Sequence, residues 1–394
     1  MDPRDQRKAA IRFIVCLGVV SLFADMTYEG AHSIIGPYLK EKGATATEVG
    51  IIAGLGEMLA ASLRFFSGRF ADRTRAYWTI TFLGYGVNLI VVPALAFAGN
   101  WEMAALLVVM ERTGKAIRGP ARDVLLSDAT SVVGHGWGFG LHAAFDQTGA
   151  VIGPLLMAIA VSQTHQFAPA FLRLAIPTAL ALAALVVAKT AYPAKGEPPR
   201  PKGPQPLPNV FWWYVSASAV LAFGFVDFPL LAYHWQKNSL LAPASIPLLY
   251  SGAMGVIGIT ALIFGRLFDR FGVPVLAAGI VVAALALPFG FLGGFAGILA
   301  SGACWALGHG VQDACLRSGI AQVVSMNKRG SAFGAFNGIF GVAWFGGSVI
   351  MGVLYDHSIL ALVTFGVVVQ VAAAVMFLRL RGPLRRAAEI EPRP

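Results

Sequence analysis

Runs of about 20 or more apolar residues recur along this 394-residue chain, separated by short polar connections. A helix that crosses a bilayer needs about 20 such residues, so this pattern constrains the fold more than any motif. Spans are predicted near residues 12–38, 47–68, 77–98, 101–118, 137–162, 168–190, 210–235, 245–265, 273–294, 296–316, 332–355 and 359–379. Hydrophobic residues make up 57% of the chain and charged residues 13%, about half the roughly 25% charged share of a soluble domain. No soluble interior of this length hides that much apolar surface, so the lipid bilayer is its solvent. The expectation is an all-α membrane protein with twelve transmembrane helices.

Charge placement gives the orientation. With the N-terminus inside, only Lys40, Lys42, Arg173 and Lys237 of the 30 Lys and Arg fall on the outer side, and Arg64 lies within a span. The remainder collect at the N-terminus, the even-to-odd loops and the C-terminus. That is the positive-inside asymmetry, and it predicts cytoplasmic termini in a plasma (inner) membrane. The net charge of +10 therefore reports topology and calls for no nucleic-acid partner. Cys16, Cys304 and Cys315 lie in or at the ends of spans, giving neither a disulfide framework nor zinc spacing. The first apolar stretch is too long for a signal-peptide core.

Between Tyr192 and Asn209 the chain is rich in Pro and charge, which predicts an extended cytoplasmic linker at 192–209. It divides the chain into six-helix bundles at 1–191 and 210–394. The halves resemble each other. Gly68-Arg69-Phe70-Ala71-Asp72-Arg73 recurs as Gly265-Arg266-Leu267-Phe268-Asp269-Arg270, Gly153 recurs as Gly347, and Asp25 with His32 recurs as Asp227 with His234. Parallel repeats of this build bind substrate near the midplane.

These features resemble the major facilitator superfamily over essentially the whole chain. Its signature loop, Gly-x-Leu-Ala-Asp-Arg-x-Gly-Arg-Arg, is matched from Gly68 through Asp72 and Arg73 to Arg75, lacking the second glycine and the final basic residue. The resemblance implies that Asp72 and Arg73 latch a cytoplasmic gate, with Asp269 and Arg270 as their repeat. Phe23-Ala24-Asp25 with Glu29, the run from Arg112 through Arg118 to Asp123, and Phe145-Asp146-Gln147-Thr148-Gly149 resemble a bacterial exporter branch that includes nickel-resistance permeases. By that resemblance Arg112, Arg118 and Asp123, at the predicted cytoplasmic end of the fourth helix, join the gate around Asp72. Gly149-Ala150-Val151-Ile152-Gly153-Pro154 resembles the first half of the antiporter signature, which implies efflux by exchange. The resemblance also implies that helices 1, 4, 7 and 10 line the central path.

Charged residues cost about 2.5–3.5 kcal/mol each at a bilayer centre and normally face a cavity or a partner. Asp25, Glu29 and His32 share one face of the first helix by their i, i+4, i+7 spacing. Glu57 and Arg64 lie on the second helix, His142 and Asp146 one turn apart on the fifth, Asp227 and His234 on the seventh, and His309, Asp313 and Arg317 on the tenth. Together they predict a polar, titratable cavity. One reading is proton coupling at Asp25, Glu29, Asp146 or Asp227, where proton and substrate use one carboxylate. The other is transport of a divalent metal, with His32, His234 and Asp25 as ligands, because imidazole and carboxylate suit borderline cations; both can hold at once, the metal displacing protons. Blander readings stand beside these: Glu57 and Arg64 as a static pair, His32 and His234 as hydrogen-bonded histidines at the water-facing rim, and Gly149 and Gly153 as packing glycines.

No H-E-x-x-H helix and no G-x-x-x-x-G-K-[ST] loop occurs, so no enzyme activity and no cofactor is expected, and transport is driven by an ion gradient or runs downhill. The expected protein is a monomeric, proton-coupled exporter of a small cation, drug-like or metallic. The alternatives are uptake or facilitated transport of an anionic or neutral metabolite, and an ion channel.

Overall fold

A computed structural model describes residues 3–191, 207–324, 329–382 and 384. Among them are fifteen α-helices: α1 (Pro3–Glu41), α2 (Ala46–Thr74), α3 (Tyr77–Ala94), α4 (Trp101–Val133), α5 (His135–Thr164), α6 (Phe167–Arg173), α7 (Ala175–Ala191), α8 (Asn209–Gly224), α9 (Phe228–Lys237), α10 (Ser245–Phe271), α11 (Val273–Ala284), α12 (Ala286–Leu292), α13 (Phe295–Val323), α14 (Arg329–His357) and α15 (Ile359–Arg379). They make twelve membrane passes, because α6 with α7, α8 with α9, and α11 with α12 are each one interrupted pass. Each interruption falls just upstream of a proline. Pro177, Pro229 and Pro288 lack the N–H that would bond the carbonyl four residues earlier. Ten passes are long and apolar enough to span a bilayer; the other two, α4 and α13, carry polar stripes. The linker expected at 192–209 lies outside the described residues except for 207–209.

The chain forms two compact units: Met1–Gly43, Ser62–Arg200 and Ala242–Ser251 in the first, and Ala44–Ala61, Pro201–Leu241 and Gly252–Pro394 in the second. In the first unit α1 packs on α5 through glycine. A Cβ at Gly149 would collide with the Leu22 carbonyl, and one at Gly153 with the Met26 carbonyl. In the second unit Gly347 of α14 meets the Phe223 carbonyl of α8 in the same way. The Gly153/Gly347 repeat is thus a repeated backbone contact, the use that small residues serve between membrane helices.

The turn after α2 accounts for the departure from the signature. Arg75 stands where the second glycine is expected and adopts φ 56°, the left-handed region that glycine enters without steric cost. Its amide still caps α2 by bonding the Ala71 carbonyl at 2.8 Å.

Replacing Gly153 by leucine is expected to destabilise the protein by about 1–3 kcal/mol or more, the usual cost of overpacking, because the obstacle is backbone. Gly86→Leu on α3, where a Cβ meets nothing within 4 Å, is expected to leave the unfolding midpoint unchanged. Thermal unfolding of both variants in detergent checks the contrast.

Candidate transport site

Four bases of α4, Arg112, Lys115, Arg118 and Arg122, recur at helical spacing on the face turned toward α1. The fourth helix was expected to end near residue 118, which put these residues in a cytoplasmic gate. The expected helix end is corrected: α4 continues to Val133, so the four bases lie mid-helix. They carry too much charge for a hydropathy pattern to cross, and they are accommodated because α1 presents acids and hydrogen-bonding groups opposite them.

The two helices run antiparallel, and the pairs follow in order. Arg122 Nη1 lies 3.3 Å from Ser21 Oγ, and Arg118 lies 5.7 Å from the Tyr28 ring. Lys115 Nζ is 3.7 Å from Glu29 Oε1 and 3.7 Å from the centre of the Tyr28 ring. Arg112 Nη2 donates to His32 Nδ1 at 2.6 Å and its Nε lies 3.4 Å from Glu111. Asp25, which is buried, accepts from Tyr28 Oη at 2.5 Å. The ladder has a second side on α3: Asn88 donates to Glu111 at 2.8 Å and accepts from Arg118 Nε at 3.2 Å, and Arg118 lies 4.3 Å from the Tyr85 ring. Gly84 and Gly114 permit this approach, since a Cβ on either would strike the facing backbone.

α5 adds His142, 3.0 Å from Ser21 Oγ and 3.4 Å from Asp146 Oδ1. From the start of α10, Tyr250 Oη donates to Glu29 Oε2 at 2.7 Å. Glu29 therefore touches one cation and one hydroxyl, and its side chain keeps 17% of its surface open.

The second unit builds its site around a break. Between α8 and α9, Phe225 and Asp227 are extended (ψ 124° and 140°), so the seventh pass is not the continuous helix expected. An open backbone in lipid needs partners, and here side chains supply them. Gln370 Nε2 bonds the Gly224 carbonyl and Trp305 Nε1 the Val226 carbonyl, both at 3.0 Å. Asp227 accepts from Trp344 Nε1 at 2.7 Å and from Ser348 Oγ. His309 stacks on Trp305 with ring centres 5.2 Å apart and lies 4.0 Å from Asp313, with Arg317 exposed one turn further on.

Other expected residues fall elsewhere. His234 is not at a water-facing rim: it is buried, 2.9 Å from Tyr355 Oη and packed on Phe291. The aromatic side chains that bury it stand far away in sequence, so its position near a helix end misled. Arg112 and Arg118 hold α1 and α3 partners rather than joining Asp72, which pairs with Tyr77 at 3.3 Å. Asp123 pairs with its neighbour Arg122. Gly68 packs against Pro120. Arg73 and Arg270 sit exposed in the last turns of α2 and α10, with Asp72 and Asp269 beside them. Glu57 and Arg64 are half-buried on α2, on either side of the point where that helix passes between units. Among the described residues no three His, Cys, Asp or Glu side chains gather to hold a metal ion.

Tyr28, Asn88, Glu111, Tyr250, Trp305, Trp344, Ser348 and Gln370 escaped the sequence reading. Only Pro229 gave a local signal, for the break.

Residues 17–240 match the Major Facilitator Superfamily. An uncharacterized protein of Mycobacterium tuberculosis is 40% identical over 386 residues, covering 95% of this chain and 94% of its own length. An uncharacterized MFS-type transporter of Methanocaldococcus jannaschii is 24% identical over 377 residues, covering 93% and 94%. Among solved structures, the peptide transporter POT in complex with sulfate aligns with a TM-score of 0.75 at 15% identity, covering 96% of this chain and 95% of that one. A point mutant of the nucleoside transporter NupG aligns at 0.73 and 13%, covering 95% and 99%. At such identities the likeness to solved structures speaks for the fold.

Lys115→Met leaves Glu29 a carboxylate without its cation and is expected to cost about 3 kcal/mol, as when one member of a buried pair is removed. Adding Glu29→Gln is expected to recover most of that loss. A double-mutant cycle on thermal unfolding measures the coupling.

Proposed function

The chain belongs to the Major Facilitator Superfamily, and on that premise we propose that this membrane transporter exchanges protons for a small organic cation at the face between α1 and α4. The observation that carries the reading is Glu29, partly open and held by one cation and one hydroxyl. Ionised, it attracts Lys115 or a substrate cation. Protonated, it attracts neither. Proton and substrate thus compete for one carboxylate, which makes exchange obligatory and lets an ion gradient drive transport. Asp25, one turn earlier and bonded to Tyr28, is the second proton carrier. His142 and Asp146 on α5 extend the relay toward the end of α1 that carries the basic N-terminus.

The direction is outward, as the resemblance of Gly149–Pro154 to the antiporter signature implies. The six-helix repeats at 1–191 and 210–394 provide alternating access in a plasma membrane, with both termini on the cytoplasmic side in keeping with the Lys and Arg asymmetry. A metal cargo is supported less well than an organic one, because His32 is engaged with Arg112 and His234 with Tyr355.

One observation favours a second reading. Four bases on a single face of α4 would also serve an anionic substrate, which would take Lys115 and Arg112 from their present partners. Sulfate bound to the peptide transporter POT shows that an anion can occupy a protein of this fold.

Purified protein in liposomes loaded with a pH-sensitive dye, challenged with organic cations, divalent metals and organic anions, tests the proposal. Organic cations are expected to move protons, and Asp25→Asn or Glu29→Gln to lower that flux at least about tenfold, roughly 1.4 kcal/mol in the transition state. Unchanged flux in both variants would overturn the role of the carboxylates. A response confined to anions would replace the first reading with the second.

A further inference from the structure

A shallow groove of about 720 Å³ runs along α3 and ends at Lys189 of α7, on a face that neither the α1–α4 ladder nor the helix break uses. Its floor is a helical notch. Leu83 and Ile90 stand as exposed walls, 59% and 58% open, with Val87 between them. In the middle lies Gly86, where a Cβ would meet nothing within 4 Å. Thr79 is the floor's one polar contribution, and it lies at the same end as Lys189, whose Nζ is 5.4 Å from the Phe82 ring.

Dimension and charge select the occupant. From Thr79 to Val91 the helix rises about 18 Å, close to the ~15 Å depth of one leaflet's hydrocarbon. The lysine end belongs to the basic membrane face: α3 begins two residues after Arg75, and the chain beyond α7 continues with Lys195, Arg200 and Lys202. Anionic lipids concentrate on the face where such residues collect. A transported solute would find no polar group along this floor beyond its one end. A membrane lipid needs none.

We propose that this groove binds an anionic phospholipid, with its phosphate on Lys189 and the Thr79 hydroxyl and one acyl chain lying over Gly86 between Leu83 and Ile90. The site is independent of the transport reading.

The test is native mass spectrometry of the full-length protein in detergent, titrated with phosphatidylglycerol and with phosphatidylcholine of the same acyl chains. The parent protein is expected to prefer phosphatidylglycerol about fivefold, the effect of one lysine near an anionic headgroup. Lys189→Gln should bring the two lipids to parity. Gly86→Trp fills the notch and should weaken phosphatidylglycerol at least about fivefold, and Gly86→Leu gives the same readout with a smaller insertion should tryptophan impair folding. Equal binding of both lipids by the parent, or unchanged phosphatidylglycerol binding after Gly86→Leu, would overturn the proposal.

Discussion

The hydrocarbon core offers no water to a charge or to an open peptide group, and most of this structure answers that constraint. In the first unit the answer is the ladder between α1 and α4. Each base on α4 finds an acid, a ring or a hydroxyl on α1 or α3, in the order that antiparallel helices impose. The ladder needs helices that approach closely and stay in register. Glycines give both: Gly149 and Gly153 bring α5 against α1, and Gly84 and Gly114 bring α3 against α4. Small residues and charged residues are therefore parts of one device, since without the close packing the pairs would not meet.

The second unit meets the same constraint differently. Its seventh pass opens at Phe225–Asp227, and the freed carbonyls go to Gln370 and Trp305. Asp227 recurs at the repeat position of Asp25, yet the two carboxylates have different surroundings. Asp25 has Tyr28 beside it on the α1 face that meets the lysine and arginines of α4. Asp227 is held by the neutral donors Trp344 and Ser348. An internal repeat has thus kept a residue and changed its chemistry. The proton exchange proposed above rests on the first, where neighbouring charges can respond, while the second ties the opened seventh pass to α14.

That asymmetry bears on transport. A carboxylate that releases a proton in low dielectric needs a compensating charge within a few ångströms, or the ionised form is too costly. The α4 bases supply it while leaving Glu29 partly open. On the proposed reading, a substrate cation entering there competes with Lys115 as well as with the proton, so that the same pair of groups sets both affinity and exchange.

How much of this was legible in the sequence depends on the range of the interaction. The twelve passes, the two-fold repeat, the superfamily signature and the packing glycines were readable, because apolar length, motif spacing and residue size are local quantities. The stripe of Asp25, Glu29 and His32 was readable too, from helical spacing alone. Its partners were not. A hydropathy pattern ended the fourth helix at the very bases that α1 neutralises, and the rim position expected for His234 took no account of neighbours distant in the chain. Pro229 marked where the seventh pass could open, but residues more than 70 positions away decided that it does. Sequence alone determined that the chain must live in lipid and how many times it crosses, since apolar length is read directly from the residues. Which charge faces which was decided only by tertiary structure, because pairing in a medium without water depends on what the fold brings within about 4 Å.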